Sequence, residues 1–283
     1  MMTTERKRVL AALLSLYLIW GSTFLVIRYA LESFPPLLMA ALRFLVAGAV
    51  LFAWEKARGA ALPTARQWRS ALLVGTLLTA ANGCVVIAEQ WVTSGVAAMA
   101  IASVPLWVAL FSGLFGRWPT RGEWLGLAVG LLGVAVLQSG TLQASPAGAA
   151  VLTVSCVSWA LGSIYSRRLD LPKGLMSSAA QMLAGGSVLL AASLLHGERM
   201  GAPTPRSLVA FAYLVVAGSV VGYSAYQFLL SHVRPTLATS YAYVNPVVAV
   251  GLGSLLAGEA VGLRSMGALG LILGGVGLMA LRK

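Results

Sequence analysis

Apolar residues run in long stretches along most of the chain, and short polar connectors separate them. A membrane-spanning helix needs about 20 consecutive apolar residues, so each stretch predicts one crossing of a bilayer. Ten stretches occur, and they are numbered here as segments 1 to 10: Val9–Ile27, Pro36–Trp54, Trp68–Ala88, Thr93–Leu114, Trp124–Leu137, Ala147–Tyr165, Leu175–Leu195, Leu208–Leu230, Leu237–Ala257 and Met266–Leu281.

The composition is typical of a membrane protein. Of the 283 residues, 59% are hydrophobic and 10% are charged, whereas about 25% of the residues of a soluble domain are charged. Ten spans use about 200 residues, which leaves room for connectors and for no soluble domain. The sequence therefore predicts an all-α membrane protein with ten transmembrane helices.

The basic residues predict the orientation in the membrane. A net charge of +12 would favour a nucleic-acid partner in a soluble protein, but here the basic residues lie in the connectors. Cytoplasmic connectors hold the excess of Lys and Arg. With a cytoplasmic N-terminus, fifteen basic residues face the cytoplasm, four face outward, and Arg43 lies inside segment 2. We therefore expect both termini in the cytoplasm of a bacterial cell. The protein is expected to lie in the lipid bilayer of the inner membrane and to have no nucleic-acid partner.

The two halves of the chain resemble each other. A shift of 141 residues superposes Pro105 on Pro246, and a shift of 139 residues superposes Trp20 on Trp159. This predicts two five-helix repeats, residues 1–140 and 141–283. Because five is an odd number, the second repeat crosses the membrane in the opposite direction, as in transporters that work by alternating access.

Several motifs carry a family resemblance. They are Trp-Gly-Ser-Thr-Phe at residues 20–24, Leu-Arg-Phe at residues 42–44, the prolines of segments 4 and 9, and Gly258-Glu259 before a glycine-rich last segment. With these motifs the chain resembles the EamA type of the drug/metabolite transporter (DMT) superfamily, and within it the bacterial amino-acid exporters of the YddG kind. The first half departs from the pattern, since Arg117-Trp118 stands where the Gly-Glu pair is expected. The resemblance implies a ten-helix fold and export of amino acids, nucleosides or other small metabolites.

Prolines near the middle of segments 4 and 9 predict two breaks in the helices. Pro105 and Pro246 each remove a backbone hydrogen bond, and freed backbone inside a membrane must face protein or a water-filled cavity. Ser103 and Asn245 accompany the two breaks. We expect the prolines to be conformational hinges and the two polar side chains to contact substrate, the alternative being plain packing kinks.

Two tryptophans form a second repeat-related pair. Trp20 and Trp159 lie near the centres of their segments, whereas tryptophans of the membrane interface lie at helix ends. Two indoles could stack on an apolar or aromatic substrate, each with one N–H donor for a polar group. The alternative is packing between the repeats.

Further polar groups lie at or near the depth of the membrane centre, where a helix that faces only lipid would have none. The candidates for substrate binding are Asn82 in segment 3, Tyr223 and Gln227 in segment 8, and Tyr243 in segment 9. Tyr226 and Tyr241 add hydroxyl groups. An unsatisfied amide in lipid costs several kcal/mol, so the asparagines are the strongest candidates and some tyrosines are expected to be structural.

Arg43 is the one charge deep inside a segment, and a charge there should face the interior of the bundle. It could anchor helices through backbone carbonyls or an acid, or it could bind a substrate carboxylate. Gln181 stands at the matching position of the second half, which favours the structural alternative.

Glycines four residues apart allow helices to pack backbone to backbone. Gly126 and Gly130 in segment 5, and Gly270 and Gly274 in segment 10, have this spacing. They predict close packing of these segments, within one chain or between chains.

The acidic residues and histidines all lie in connectors or at segment ends. A membrane-buried carboxylate or histidine is the usual proton relay, so we expect either facilitated flux or coupling through Glu89 at the outer mouth. No clustered Asp, Glu or His pattern of an enzyme occurs, and no cofactor or metal is expected. The sequence thus predicts an amino-acid transporter. The alternative is a multidrug or nucleoside/purine exporter. A monomer would be sufficient for transport, and a dimer is left open.

Overall fold

The structure is a computed structural model, and it describes residues 4–88, 90–92, 97, 100–138, 145–248 and 263–280. Within these ranges the regular elements are helices, and no strand occurs. The all-α prediction is confirmed. The helices in chain order are α1 Thr4–Ala30, α2 Pro36–Ala57, α3 Ala65–Ala88, α4 Val104–Leu114, α5 Arg121–Gln138, α6 Pro146–Ser166, α7 Leu175–Leu195, α8 Pro205–His232, α9 Pro235–Ala238, α10 with residues 241–248, and α11 Leu263–Ala280.

Five of the described helices are long and apolar enough to cross a membrane, namely α2, α3, α6, α7 and α8, with 21 to 28 residues each. The apolar helix α4 and residues 266–280 of α11 are shorter. In the middle of α8, residues Leu214–Tyr223 form a π-helical segment. Such segments are rare and often lie at functional sites.

Local sequence determines where several helices begin and end. Proline stands in the first turn of α2, α6 and α8, where its missing N–H costs nothing. Ser145 and Thr204 cap α6 and α8 by accepting backbone N–H groups three residues ahead. Glycines with positive φ follow α2, α4 and α7, at Gly59, Gly116 and Gly197.

The two predicted proline breaks differ from each other. Residues 102–103 form a turn, and α4 begins at Val104, so Pro105 lies in the first turn of a helix rather than inside one. Pro246 lies inside the helical run 241–248. The described break in segment 9 comes earlier, at Thr239 and Ser240, whose hydroxyls bond to the carbonyls of Pro235 and Leu237 and so compete with regular backbone pairing.

Helix packing brings the two halves together along their whole length. Helix α2 packs along α7, and α5 packs along α11. Helix α3 contacts both α6 and α7, whereas α8 contacts α1 and α2. A Cβ added to Gly126 would lie 2.6 Å from the Gly275 carbonyl oxygen, and one added to Gly75 would lie 2.2 Å from the Gln181 carbonyl oxygen. The close approaches therefore depend on glycine. A Cβ at Gly270 or Gly274 would enter open space, so these two glycines make no close approach to the described residues of their own chain, and packing between chains stays a prediction.

Candidate functional site

A cavity lies between the two halves. Its volume is about 70 Å³. Its interior is therefore narrow. The residues that line it come from both halves: Trp20, Thr23, Ile27, Arg43, Ala81, Asn82, Val85, Ile101, Val104, Ser155, Trp159, Tyr241 and Asn245.

The lining residues place the cavity away from the centre of the bundle. Thr23 and Ile27 lie in the last third of α1, Arg43 lies in the first third of α2, and Val85 lies in the last third of α3. The cavity therefore lies nearer to the C-terminal ends of α1 and α3 and to the N-terminal end of α2.

Aromatic rings form one wall of the cavity. The Trp20 ring lies edge-on to the rings of Trp159 and Tyr241, with centroid distances of 5.4 and 4.7 Å. Tyr226 lies behind them, 5.1 Å from Trp159. These separations are those of favourable aromatic pairs, so the two repeat-related indoles pack on each other as well as lining the cavity.

Both indole N–H groups are already bonded inside the protein. Trp20 Nε1 donates to the Gly218 carbonyl oxygen at 3.0 Å, and Trp159 Nε1 donates to the Tyr226 hydroxyl at 3.0 Å. The prediction that each indole keeps a free donor for substrate is therefore wrong. The cause is α8, which passes behind both rings and offers an acceptor to each.

Arg43 lines the cavity while only 5% of its surface is exposed. Its Nε donates to the Ser219 hydroxyl at 2.6 Å, and its guanidinium lies 5.0 Å from the centre of the Phe44 ring. Among the described residues, no carboxylate lies within 4 Å of it. A buried cation of this kind normally pairs with an acid. Arg43 departs from this rule, because no described residue supplies a counter-charge.

The two asparagines of the cavity differ in their bonding. Asn245 is 4% exposed, and its Oδ1 has no hydrogen-bond partner among the described residues. Asn82 donates from Nδ2 to the Leu78 carbonyl oxygen of its own helix at 3.1 Å. A buried acceptor without a partner is costly. A ligand that donates a hydrogen bond to Asn245 Oδ1 would remove this cost, which would favour its binding.

Two predicted site residues bond instead to the second-half counterpart of Arg43. The Tyr223 hydroxyl and Gln227 Nε2 both donate to Gln181 Oε1, each at 3.0 Å. Neither Tyr223 nor Gln227 lines the cavity. The structure uses these polar groups to join α7 to α8.

The other two predicted residues also lie outside the cavity lining. The Ser103 hydroxyl donates to the Ala100 carbonyl oxygen at 2.6 Å, beside the turn that precedes α4. Tyr243 is fully buried, and its hydroxyl donates to the Leu127 carbonyl oxygen of α5 at 3.2 Å. Of the eight predicted substrate contacts, the structure thus brings together Trp20, Asn82, Trp159 and Asn245.

Helical spacing could have located further lining residues. Thr23 and Ile27 follow Trp20 by three and seven positions, and Ser155 precedes Trp159 by four. Side chains at these spacings share one face of a helix. The two tryptophans therefore identify the cavity face of α1 and α6.

Among the described residues, the lining of the cavity includes no Asp or Glu. Within the described ranges, no group of three or more His, Cys, Asp or Glu residues could hold a metal ion. Glu89, the predicted coupling residue, and the Gly258-Glu259 pair lie outside the described residues.

Connectors at the end of the bundle opposite the cavity contact each other across the two halves. Arg168 donates to the Phe115 carbonyl oxygen at 2.6 Å. Arg234 donates to Glu123 Oε2 at 2.6 Å, and the Thr236 hydroxyl donates to Glu123 Oε1 at 2.5 Å. These contacts join the two halves at that end of the bundle.

Glu123 precedes the predicted segment 5 and is 3% exposed. Burial alone would raise its pKa, but the hydrogen bonds from Thr236, from the Thr120 backbone and from Arg234, with the charge of Arg234, together lower it. Glu123 therefore stays ionised where it contacts α9.

Comparisons with known proteins agree with this architecture. Residues 7–138 and 146–281 each match the sequence profile of the EamA-like transporter family. The inner membrane transporter YedA of Escherichia coli (strain K12) is 48% identical over 276 residues, which cover 96% of this chain and 90% of YedA. The transporter YdfC of Bacillus subtilis (strain 168) is 26% identical over 85% of this chain and 80% of its own. A protein of known crystal structure shares the fold with a TM-score of 0.82 at 21% identity, covering 97% of this chain and 96% of its own.

Proposed function

The chain belongs to the EamA-like transporter family, and from this premise we propose that the cavity between its two halves binds amino acids, including aromatic and apolar ones, and carries them across the membrane. As a family member with YedA as a relative, the chain is a multi-pass inner membrane transporter and not an enzyme. The substrate class and the mechanism are the parts proposed here.

One observation carries the substrate class: a cation without a counter-charge and an acceptor without a donor line the same cavity. Arg43 has no acid partner and Asn245 Oδ1 has no hydrogen-bond partner among the described residues. An amino-acid zwitterion supplies both missing groups, because its carboxylate pairs with a guanidinium and its ammonium donates to a carbonyl oxygen. A charged pair of this kind, removed from water, is worth more than in solution.

The aromatic wall supports a preference for apolar or aromatic side chains. The faces and edges of Trp20, Trp159 and Tyr241 offer contact area, while both indole N–H groups are already used. A polar side chain would gain little there, whereas an apolar one is removed from water. The resemblance to amino-acid exporters of the YddG kind supports the same substrate class.

Alternating access between the halves 1–140 and 141–283 is the proposed mechanism. The family profile matches the chain twice, and α2 packs along α7 and α5 along α11, which are the pairings that an inverted repeat with a twofold axis between the halves requires. The contacts of Glu123 and Arg168 close one end while the cavity lies nearer the other. We propose that this is an outward-facing arrangement of ten helices with both termini in the cytoplasm.

The energy source follows from the charges of the cavity. Its described lining holds one cation and no acid, and a proton-coupled carrier usually buries a titrating carboxylate or histidine. We propose facilitated flux down the substrate gradient, working as a monomer. Coupling through Glu89 is the alternative.

The test is uptake into proteoliposomes that contain the purified protein. Radiolabelled methionine, threonine and phenylalanine are offered with and without an imposed pH gradient, to wild type, Trp20→Ala and Asn245→Ala. We expect gradient-independent uptake by wild type and its loss in both variants, which should still insert and purify. Uptake of nucleosides or cationic drugs in place of every amino acid would refute the substrate class, and strict dependence on the gradient would refute facilitated flux.

A further inference from the structure

We propose that Ser219, which does not line the cavity, is a positioning residue that holds Arg43 in the orientation needed to select substrates with a carboxylate. This inference rests on the proposed function, because it assumes that the cavity is the substrate site. Ser219 lies in α8, in the half of the chain opposite Arg43. Its role would be to set the selectivity of the site without touching the substrate.

The bond between the two residues is short and buried. Ser219 is fully buried, and its Oγ accepts the Arg43 Nε–H at 2.6 Å. A Cβ added to the neighbouring Gly218 would lie 3.2 Å from Arg43 Nη2. The guanidinium therefore lies against the backbone of α8, and it can turn only if the bond to Ser219 breaks.

The π-helical segment holds a second cavity residue in the same way. The Gly218 carbonyl oxygen accepts the Trp20 Nε1–H at 3.0 Å, and a Cβ added to Gly222 would lie 2.4 Å from that nitrogen. A π-helix bonds each N–H to the carbonyl five residues earlier, which spaces Gly218, Ser219 and Gly222 differently from an α-helix. One wide stretch of helix thus fixes both Arg43 and Trp20.

Fixing Nε has a chemical consequence. A guanidinium binds a carboxylate best through two parallel N–H donors in one plane. With Nε bonded to Ser219, the plane of Arg43 is set and its two terminal nitrogens remain for a ligand. Without the hydroxyl, the charge of Arg43 persists but the plane of its guanidinium is free to rotate, so binding of a carboxylate weakens while binding of analogues that lack the carboxylate is unaffected.

The experiment compares Ser219→Ala with Ser224→Ala in proteoliposomes. Ser224 is the matched control, because it lies on the same helix with a buried Oγ that has no hydrogen-bond partner among the described residues. Uptake of labelled phenylalanine is inhibited with unlabelled phenylalanine or phenylalaninamide, which lacks the carboxylate. In Ser219→Ala we expect KM for phenylalanine to rise about tenfold. The maximal rate of phenylalanine uptake and its inhibition by phenylalaninamide should be unchanged. Ser219→Thr, which keeps the hydroxyl, should restore the wild-type KM.

A second measurement separates this inference from the substrate assignment. Phenylglyoxal modifies arginine, and mass spectrometry of the peptide with Arg43 reports its reactivity without any transport. Ser219→Ala should raise the modification of Arg43, while Ser224→Ala should match wild type. An unchanged KM for phenylalanine, an equal weakening of inhibition by phenylalanine and by phenylalaninamide, or unchanged Arg43 reactivity overturns the proposal. Wild type that transports no amino acid refutes the proposed function, and the Arg43 reactivity then still decides whether Ser219 positions it.

Discussion

Replacing Glu123 with Gln should weaken the closed end of the bundle. Glu123 closes the N-terminus of α5 by accepting the Thr120 N–H at 2.8 Å, while the Thr120 hydroxyl accepts the Glu123 N–H at 3.3 Å. Glutamine can also fill this position of the reciprocal cap. Glu123→Gln therefore keeps the helix start, while it removes the ion pair with Arg234 and the negative charge that accepts the hydrogen bond from Thr236 on the other half.

The size of the effect follows from those two contacts. Hydrogen bonds to a charged group contribute about 1.5–3 kcal/mol and neutral ones about 0.5–1.5 kcal/mol. Arg234 is 56% exposed, so its share is reduced by solvent, whereas the Thr236 contact is buried. We expect a loss of about 2 kcal/mol in the free energy of unfolding, which corresponds to a decrease in Tm of roughly 5 °C.

The assay is thermal unfolding in detergent. The reaction of the two native thiols with a fluorogenic maleimide reports how much protein has unfolded. Cys156 is buried and Cys84 is half-buried, and both are free. Asp170→Asn is the matched control, because the Asp170 pair with Arg66 spans 3.9 Å between exposed side chains and should contribute less than about 1 kcal/mol. Equal Tm shifts in the two variants would refute the reasoning.

The pH dependence has a definite sign. The pKa of Glu123 in the folded protein lies below its ordinary value of about 4.5, so its stabilising contribution is complete above that pH and is lost as the pH falls further. The Tm difference between wild type and Glu123→Gln should therefore persist from pH 7 to about pH 5 and become smaller below pH 4.5. A difference that grows on acidification would contradict the proposed ionised state.

Four other variants test the cavity and the packing. Arg43→Gln should raise KM for carboxylate substrates by about 10-fold or more, measured by uptake, and a fall in purified yield instead would favour a structural anchor. Gly222→Ala should abolish uptake because its Cβ would lie 2.4 Å from Trp20 Nε1, and normal uptake would show that the ring can move. Gly275→Ala, with a Cβ 2.6 Å from the Gly130 nitrogen, should destabilise by about 1–3 kcal/mol. Gly270→Ala, with open space around its Cβ, should leave the free energy of unfolding unchanged or raise it by up to about 1 kcal/mol. A lower Tm for Gly270→Ala than for Gly275→Ala would refute this ranking.

The sequence by itself determined the class of the protein. Hydropathy is a local property, so it predicts apolar helices correctly, and the motifs around Trp20 and Arg43 identified a family that the sequence comparison confirms. The repeat-related pair Trp20 and Trp159 pointed to residues that the structure places together, with rings 5.4 Å apart. Asn245 likewise lies where its polarity suggested, beside the cavity.

Local pattern was insufficient where a side chain's neighbours come from distant helices. Tyr243 and Asn245 are two residues apart in α10, but the Tyr243 hydroxyl bonds to α5 while Asn245 lines the cavity. Gly270 and Gly274 have the spacing of a packing motif, yet Gly275 makes the close approach. The face that a helix presents depends on its rotation about its own axis, which only packing against the other helices sets.

Only the tertiary structure decided which polar groups remain available to a ligand. Trp20 bonds to a carbonyl 198 positions later in the chain, and Arg43 bonds to a hydroxyl 176 positions later. No window of sequence contains both partners of such a bond. The chain could therefore be read as a ten-segment transporter from its hydropathy. Only the packing of α8 shows that both indole N–H groups are bonded, while among the described residues Arg43 has no counter-charge and Asn245 Oδ1 has no donor.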